Sequence, residues 1–215
     1  MGKKSMLLIA YNRYGVREMI FDYESKVLQI KIVYYGPAMS GKTTSIKYLF
    51  SYFKKESDLE SIESSVGRTL FFDFGVLNFQ GSNWGLKFLI YSATGQDFYA
   101  STRPATLNGV DGIIFVVDSR FSYLKHNLRS WNELKSLFGE EIYNIPIVIS
   151  LNKYDLEGIN KLKEVDFLNL IDFNLFKYLS IEKTTAINGT GLLDSFKTVV
   201  NFILPELQIN TNLIQ

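Results

Sequence analysis

The stretch that decides the fold is VLQIKIVYYGPAMSGKT, which occupies residues 27–43. Its first nine residues are mainly β-branched and aromatic, with Gln29 and Lys31 alternating on one side before a solid apolar run, and this pattern predicts a central strand. After Gly41, apolar residues recur at the spacing of one helix face: Ile46, Leu49, Phe50 and Phe53. The stripe fades in the charged stretch 54–63. The local order is therefore strand, glycine-rich loop and helix.

The loop between this strand and this helix matches the pattern GxxxxGK[ST], in the structural context that gives the match its meaning. It consists of Gly36, Pro37, Ala38, Met39, Ser40, Gly41, Lys42 and Thr43, and Thr44 follows it. A loop curled over a helix N-terminus offers consecutive backbone N–H groups and the positive end of the helix dipole to phosphate groups. We expect the Lys42 ammonium to act between the β- and γ-phosphates of a nucleotide and the Thr43 hydroxyl to bind Mg²⁺. The alternative is an ordinary glycine-rich turn.

Further strands and helices alternate along the chain on both sides of this stretch. Two strand-like runs, 69–79 and 85–93, are joined by a short turn-forming segment and predict an antiparallel hairpin at one sheet edge. Two apolar blocks without alternation, 111–118 and 145–151, are typical of parallel strands covered on both faces. The other predicted elements are a helix from Leu124 to Phe138, a weaker helix near 163–171, a last strand near 178–185 and a final helix from Leu192 whose stripe reaches Leu207.

This alternation predicts an α/β fold with right-handed crossovers between parallel strands. We expect a mostly parallel six-stranded sheet in a three-layer arrangement, with one antiparallel edge strand and helices on both faces. The predicted main domain spans residues 27–208. Residues 1–26 are expected to form an N-terminal extension or edge hairpin packed on that domain, and residues 209–215 a C-terminal tail.

The amino-acid composition argues against nucleic acid, a His- or Cys-based metal site and a membrane span. The 23 Lys and Arg nearly balance the 22 Asp and Glu, so no net basic field is available to hold nucleic acid. The chain has no Cys, and its single His126 cannot build a His-rich metal site. No apolar run approaches the roughly 18 residues of a membrane span, and no lipid-anchor motif is evident. We therefore expect a soluble cytoplasmic protein.

A second motif concerns the base of the nucleotide. Asn152-Lys153-Tyr154-Asp155 directly follows a predicted buried strand, so it emerges at the carboxyl end of a parallel strand, where α/β sheets bind ligands. The pattern NKxD resembles the guanine-specificity motif of GTPases. A carboxylate at Asp155 accepts hydrogen bonds from guanine N1–H and the exocyclic amine, a pairing that adenine does not offer. We expect Asn152 to tie this loop to the phosphate loop and the Lys153 stem to lie along the base plane.

A softer match follows the last predicted strand. Thr184-Thr185-Ala186 resembles the TSA motif, whose backbone amide contacts the guanine oxygen. This resemblance makes Thr185 and Ala186 candidate nucleotide contacts. A polar exit from a strand is the alternative interpretation.

The segment SATGQ, residues 92–96, resembles the DxxGQ segment of Ras-like proteins. The resemblance predicts that the Gly95 amide contacts the γ-phosphate and that Gln96 orients the attacking water. Ser92 stands where Asp is usual, and a missing carboxylate weakens the outer-shell coordination of Mg²⁺. Asp73, in the same hairpin, is a candidate for supplying that charge, although an ordinary strand carboxylate is the simpler interpretation.

The first switch segment is expected just before the hairpin. Thr69 follows a polar loop and precedes LFFDF, a position that suits the threonine through which such a switch senses Mg²⁺ and the γ-phosphate. Arg68 stands next to it. A guanidinium beside the γ-phosphate neutralises charge that develops during transfer, as an arginine finger does, whereas position alone favours a solvated loop charge.

Taken together, four stretches resemble the MglA family of prokaryotic small Ras-like GTPases: KIVYYGPAMSGKTT (31–44), GRTLFFDF (67–74), YSATGQDFY (91–99) and GVDGIIFVVDS (109–119). The resemblance covers about residues 29–204, and the MglA family also replaces the Asp of DxxG. It implies a Ras-like P-loop fold, GTP hydrolysis with Mg²⁺, Arg68 as an intrinsic arginine finger and Gln96 as the water-positioning residue. It further implies a roadblock-type, MglB-like activating protein and effectors that govern cell polarity or motility.

Two other functions compete with a GTP-hydrolysing switch. One is a regulatory scaffold that holds GTP without hydrolysing it, which Ser92 makes conceivable. The other is a phosphotransferase kinase built on the same loop, which would need an Arg-rich lid and leaves the NKYD segment without a role.

Overall fold

The computed structural model describes residues 5–12, 15–63, 69–80, 84–95, 97–157 and 160–205. Its strands are β1 (Ser5–Asn12), β2 (Gly15–Asp22), β3 (Val27–Tyr35), β4 (Leu59–Glu63), β5 (Thr69–Gln80), β6 (Gly85–Ser92), β7 (Gly112–Asp118), β8 (Ile147–Asn152) and β9 (Leu179–Lys183). Its helices are α1 (Lys42–Tyr52), α2 (Arg103–Leu107), α3 (Leu124–Phe138), α4 (Glu164–Leu168) and α5 (Leu192–Ile203). Leu207, the last residue of the predicted α5 stripe, lies outside the described residues.

One sheet runs through the molecule in the order β4-β5-β6-β3-β7-β8-β9. The five strands from β6 to β9 pair in parallel, whereas β5 pairs antiparallel with both β6 and β4. This mixed sheet, with helices packed around it, confirms the predicted α/β fold class. Because the carboxyl ends of the parallel strands meet at one edge, the loops that follow β6, β3, β8 and β9 share that edge.

An N-terminal hairpin extends the sheet. β1 pairs antiparallel with β2, and β2 pairs antiparallel with the beginning of β3, from Ile20 opposite Gln29 to Asp22 opposite Val27. β7 takes the same edge of β3 farther along, from Ile32 to the end of the strand. The start of β3 is therefore bordered by the hairpin, while its end, which leads into the phosphate loop, lies between β6 and β7.

The core has two parts, one on each face of the sheet. Alternation along β3 sends Ile32 to one face and Val33 to the other, and both are fully buried. The first part packs β3, β6 and β7 against α1 and α5, with Phe50 and Phe196 at its centre. The second part packs the opposite face against α3 and α4 through a group of buried aromatic and aliphatic side chains that includes Trp131.

Two elements depart from the sequence prediction. The structure contains β4, an edge strand within the charged stretch 54–63. The prediction of six strands is therefore wrong: the run from β4 to β9 has seven, and its antiparallel side has two strands where one was expected. α1 ends at Tyr52, and Lys54 then adopts the left-handed region with φ of 55°. This turn stops the helix and allows the chain to enter β4. The second departure is α2, a five-residue helix that begins at Arg103.

No helix among the described residues combines the length and the apolar character that a membrane crossing needs.

Candidate functional site

The phosphate loop connects the buried end of β3 to the first residue of α1. Gly41 precedes that helix with φ of 109°, in the left-handed half of backbone space. Lys42 is 7% exposed, and its Nζ donates hydrogen bonds to the carbonyl oxygens of Gly36, at 2.8 Å, and Pro37, at 2.7 Å. The ammonium is therefore held inside the curl of the loop, where a phosphate chain bound to the loop amides would meet it.

Asn152, at the end of β8, joins three loops. Its Nδ2 donates to the Ser40 carbonyl oxygen at 2.8 Å, and its Oδ1 accepts from the Ala186 backbone N–H at 2.9 Å. The Thr184 hydroxyl also donates to Oδ1, at 3.4 Å. A Cβ at Gly41 would stand 2.0 Å from Asn152 Nδ2, so only glycine permits this approach. The predicted link between the NKYD segment and the phosphate loop is present.

The Thr184-Thr185-Ala186 segment is held from both sides. The Thr184 hydroxyl lies 2.6 Å from the Ser150 hydroxyl on β8, and the Thr185 N–H donates to the Thr190 carbonyl oxygen at 2.9 Å. Thr185 and Ala186 are each 5% exposed. The segment thus lies directly beside Asn152, with its backbone fixed at the same edge of the sheet as the phosphate loop.

The two charged residues of NKYD have different surroundings. Lys153 adopts a left-handed φ of 64°, and its Nζ donates to Asp118 Oδ2 at 2.7 Å. Asp155 is exposed. An exposed carboxylate next to a fixed lysine matches a site in which the lysine stem supports a base and the carboxylate reads its edge.

Sequence reasoning missed Asp118, the last residue of β7, which lies between β3 and β8 in the sheet. Asp118 is 1% exposed, and its carboxylate accepts hydrogen bonds from Arg120 Nε at 2.9 Å, from Arg120 Nη2 at 2.6 Å and from Lys153. Burial by itself raises the pKa of this carboxyl, but the hydrogen bonds from Arg120 and Lys153 outweigh burial, so the pKa lies below its usual range. A carboxylate that ends a fully apolar strand was the signal available in the sequence.

The segment after β6 lies against the phosphate loop. A Cβ built on Gly95 would stand 2.4 Å from the Ala38 nitrogen and 2.6 Å from the Pro37 carbonyl carbon, so the two backbones touch. Ser92 is 1% exposed, and its hydroxyl has no hydrogen-bond partner among the described residues.

Four residues predicted to act on the γ-phosphate or Mg²⁺ fall wholly or partly outside the described residues. Arg68 and Gln96 lie outside the described residues, as do the side chains of Thr69 and Asp73, although Thr69 begins β5. The other predicted contacts meet at the carboxyl edge of the parallel strands: the phosphate loop, Thr43 and Thr44 in the first turn of α1, Gly95, the NKYD segment and Thr185-Ala186.

Similar proteins identify the family of this chain and the class of ligand that its site binds. The model of the ADP-ribosylation factor family matches residues 16–203. The chain belongs to this family. It is also 36% identical to the mutual gliding-motility protein MglA of Myxococcus xanthus (strain DK1622), over 87% of this chain and 96% of that protein. ADP-ribosylation factor-like protein 6 of Caenorhabditis elegans is 32% identical over 76% of this chain and 80% of its own length.

These similarities extend to more distant small GTPases. The GTP-binding nuclear protein GSP1 of Encephalitozoon cuniculi (strain GB-M1) is 26% identical over 77% of this chain and 73% of that protein. The ADP-ribosylation factor family member described here is thus an MglA-like small Ras-like GTPase, as the sequence predicted. It is a molecular switch that binds GTP and GDP and hydrolyses GTP. The scaffold and kinase alternatives have no support in these matches.

Proposed function

We propose that the nucleotide lies across the carboxyl edge of the sheet, with its phosphates on residues 36–44 and its guanine on Asp155. The observation that carries this proposal is the Asn152 side chain, which hydrogen-bonds the phosphate loop on one side and the Ala186 amide on the other. A residue that fixes both loops sets the distance between the phosphate and base subsites. Lys42 would neutralise the β- and γ-phosphates, and the Ala186 N–H, which donates to Asn152 Oδ1 in this structure, would exchange that acceptor for the guanine oxygen when the nucleotide binds.

We also propose that Mg²⁺ is the cofactor, with Thr43 and Thr69 as its protein ligands. Small GTPases use a hydroxyl after the phosphate-loop lysine for this purpose, and Mg²⁺ prefers hard oxygen ligands. The buried Ser92 hydroxyl, which has no hydrogen-bond partner among the described residues, places a neutral group where Asp is usual, so the proposed site has one carboxylate fewer around the metal. Arg68 and Gln96 are the proposed catalytic residues, the first for the transition-state charge and the second for the attacking water.

The proposed partners follow from the MglA relative. That protein's name places it in gliding motility, and we infer that the GTP form of this chain recruits effectors of cell polarity or motility in the cytoplasm. We infer a roadblock-type, MglB-like protein as the activator, which would press Arg68 and Gln96 into place. The proposed division of the chain is a hairpin extension in residues 1–26, a GTPase domain in 27–208 and a tail in 209–215.

The proposed function is tested by a substitution that should change the preferred base from guanine to xanthine. Asp155→Asn should weaken GDP binding and improve xanthosine diphosphate binding, because an amide donates to the xanthine oxygen where a carboxylate accepted from guanine. Replacing a hydrogen bond to a charged group costs about 1.5–3 kcal/mol, or roughly 10- to 150-fold in affinity. Affinities for GDP, xanthosine diphosphate and ADP, measured by calorimetry, check the prediction.

Glu157→Gln is the matched control, since Glu157 is an exposed carboxylate two residues away in the same loop. It should leave all three affinities unchanged. If Asp155→Asn keeps the wild-type preference for GDP over xanthosine diphosphate, Asp155 is not the base reader.

A further inference from the structure

One buried arginine links the segment after β6 to helix α3. Arg103 is the first residue of α2 and is 4% exposed. Its Nε donates to the Thr94 carbonyl oxygen at 2.9 Å, and its Nη1 hydrogen-bonds both carboxylate oxygens of Glu133 on α3. Neither Arg103 nor Glu133 belongs to a nucleotide-binding motif.

The residue that follows Thr94 touches the phosphate loop. Gly95 approaches the Pro37–Ala38 peptide so closely that a Cβ would stand 2.4 Å from the Ala38 nitrogen. A hydrogen bond to the Thr94 carbonyl fixes the peptide plane that contains the Gly95 N–H. The orientation of the Gly95 N–H at the phosphate loop therefore depends on Arg103.

The anchor for this arrangement is rigid. Glu133 lies between Trp131 and Leu134 on α3, and these two neighbours are 1% and 0% exposed, so the helix cannot turn without breaking the core. A guanidinium suits the position because its planar set of donors serves a carbonyl oxygen and a carboxylate at once. A cavity of 330 Å³ lies beside this contact, lined by the phosphate loop, Gly95, Arg103 and Glu133.

We propose that Arg103, held by Glu133, is a positioning residue that aims the Gly95 amide at the γ-phosphate and so sets the ratio of GTP affinity to GDP affinity. The inference rests on the proposed function, in which the Gly95 amide contacts the γ-phosphate. GDP has no γ-phosphate and is held by the phosphate loop and the base loop. Loss of Arg103 therefore weakens triphosphate binding and leaves diphosphate binding in place.

The experiment compares GDP with a non-hydrolysable GTP analogue on the full chain, using dissociation rates of fluorescent nucleotides and equilibrium affinities. Arg103→Gln and Glu133→Gln should each lower the ratio of triphosphate to diphosphate affinity by about 5- to 150-fold, the usual range for coupling between sites. GDP affinity should stay within about threefold of wild type. Arg103→Lys, which keeps the charge but not the fork, should give an intermediate ratio.

The matched control is Arg129→Gln. The Arg129 side chain is 73% exposed and pairs with Asp97 at 3.1 Å, and Asp97 also lies 3.8 Å from Arg103 Nη2. The variant therefore removes a neighbouring ion pair and leaves the hydrogen bonds of Arg103 to Thr94 and Glu133 in place. Its ratio should equal that of wild type. An equal loss of GDP and triphosphate affinity in Arg103→Gln and Glu133→Gln would show a merely structural role and overturn the proposal, as would an unchanged ratio.

The measurements distinguish a failure of the proposed nucleotide site from a failure of the proposed role of Arg103. Wild-type protein that binds neither nucleotide contradicts the proposed function itself. Wild-type protein that binds both, with variants that keep its ratio of triphosphate to diphosphate affinity, contradicts only the role of Arg103. If a glutamine variant does not fold, Arg103→Lys decides by the same ratio.

Discussion

At the scale of single residues, the loop proposed to bind the base is held by a buried carboxylate, Asp118, and the cationic side chains that hydrogen-bond to it. Within the part of the chain that the structure describes, Asp118 has two cationic partners, and both are only partly exposed, with 29% of the Arg120 side chain and 26% of the Lys153 side chain accessible. A buried carboxylate is stable only when its hydrogen bonds are supplied, and here three come from side chains and one from the Arg120 backbone N–H at 3.1 Å. Lys153 is consequently fixed before any nucleotide arrives.

Asp118→Asn should lower the free energy of unfolding at pH 7 by about 1.5–3 kcal/mol, the usual loss for hydrogen bonds to a charged group. The folded-state pKa of Asp118 lies below its unfolded value, so the contribution is fully present above about pH 4 and is lost as the pH falls through the folded-state pKa. The difference between wild type and variant should therefore hold from pH 7 to about pH 4 and shrink as the pH falls further. Urea unfolding across this range, at a fixed excess of GDP, measures it.

Asp172→Asn is the control for that experiment. The Asp172 side chain is 48% exposed and pairs with Lys135 at the surface, where ion pairs contribute little to stability. Its unfolding midpoint should stay near that of wild type. A difference between Asp118→Asn and wild type that grows as the pH falls would contradict the assigned direction of the pKa.

At the scale of elements, sequence periodicity predicted the strands and helices that pack an apolar face into the core. β3 spans the predicted residues without change because its apolar residues face a core on both sides of the sheet, and α1 follows the predicted stripe because that stripe packs into the core on one side. β4 was missed because LESIE has no continuous apolar face and is a strand only through its pairing with β5. α2 was missed because five residues are too few for a helical period to appear.

In the site, too, some contacts were predictable from the sequence and others were not. The bond from Asn152 to the phosphate loop was predictable, since both motifs follow parallel strands and must meet at one edge. The pairing of Lys153 with Asp118 joins residues 35 positions apart, and only one of them belongs to a motif. Arg103 and Glu133 likewise meet across 30 positions, so no local spacing indicates their contact.

Substitutions in α5 test whether the core can be weakened without loss of nucleotide binding. Phe196 is 2% exposed and contacts the rings of Phe88 and Phe53, with centroids 5.3 and 6.2 Å away. Phe196→Ala should cost about 3–5 kcal/mol in the free energy of unfolding because it leaves a cavity under β6. Asn201→Ala, at an exposed position of the same helix, should change it by less than about 0.5 kcal/mol.

Urea unfolding at constant GDP measures both variants, and GDP affinity of the folded protein provides the second readout. Phe196 lies on the face that α1 and α5 cover, away from the carboxyl edge of the sheet, so GDP affinity should be retained. Equal unfolding midpoints for the two variants would show that the α5 stripe is not core.

At the scale of the whole molecule, the proposed nucleotide lies across several separate strands. The phosphate loop follows β3, and the base-side loops follow β8 and β9, with β7 and its Asp118 between them. Within the protein, Asn152 joins these loops through single hydrogen bonds. A bound nucleotide adds contacts to both sides at once, so the folded state and the bound state are linked.

This linkage predicts a thermal shift of defined size and specificity. GDP at about 100 times its dissociation constant should stabilise nucleotide-stripped protein by about 2.7 kcal/mol, which for a chain of this length raises the melting temperature by roughly 5–11 °C. ADP at the same concentration should give no shift, because Asp155 finds no matching donors on adenine. Asp155→Asn should transfer the shift from GDP to xanthosine diphosphate. Equal stabilisation by ADP and GDP would contradict base reading by Asp155, and no shift with any nucleotide would contradict a site that spans the sheet edge.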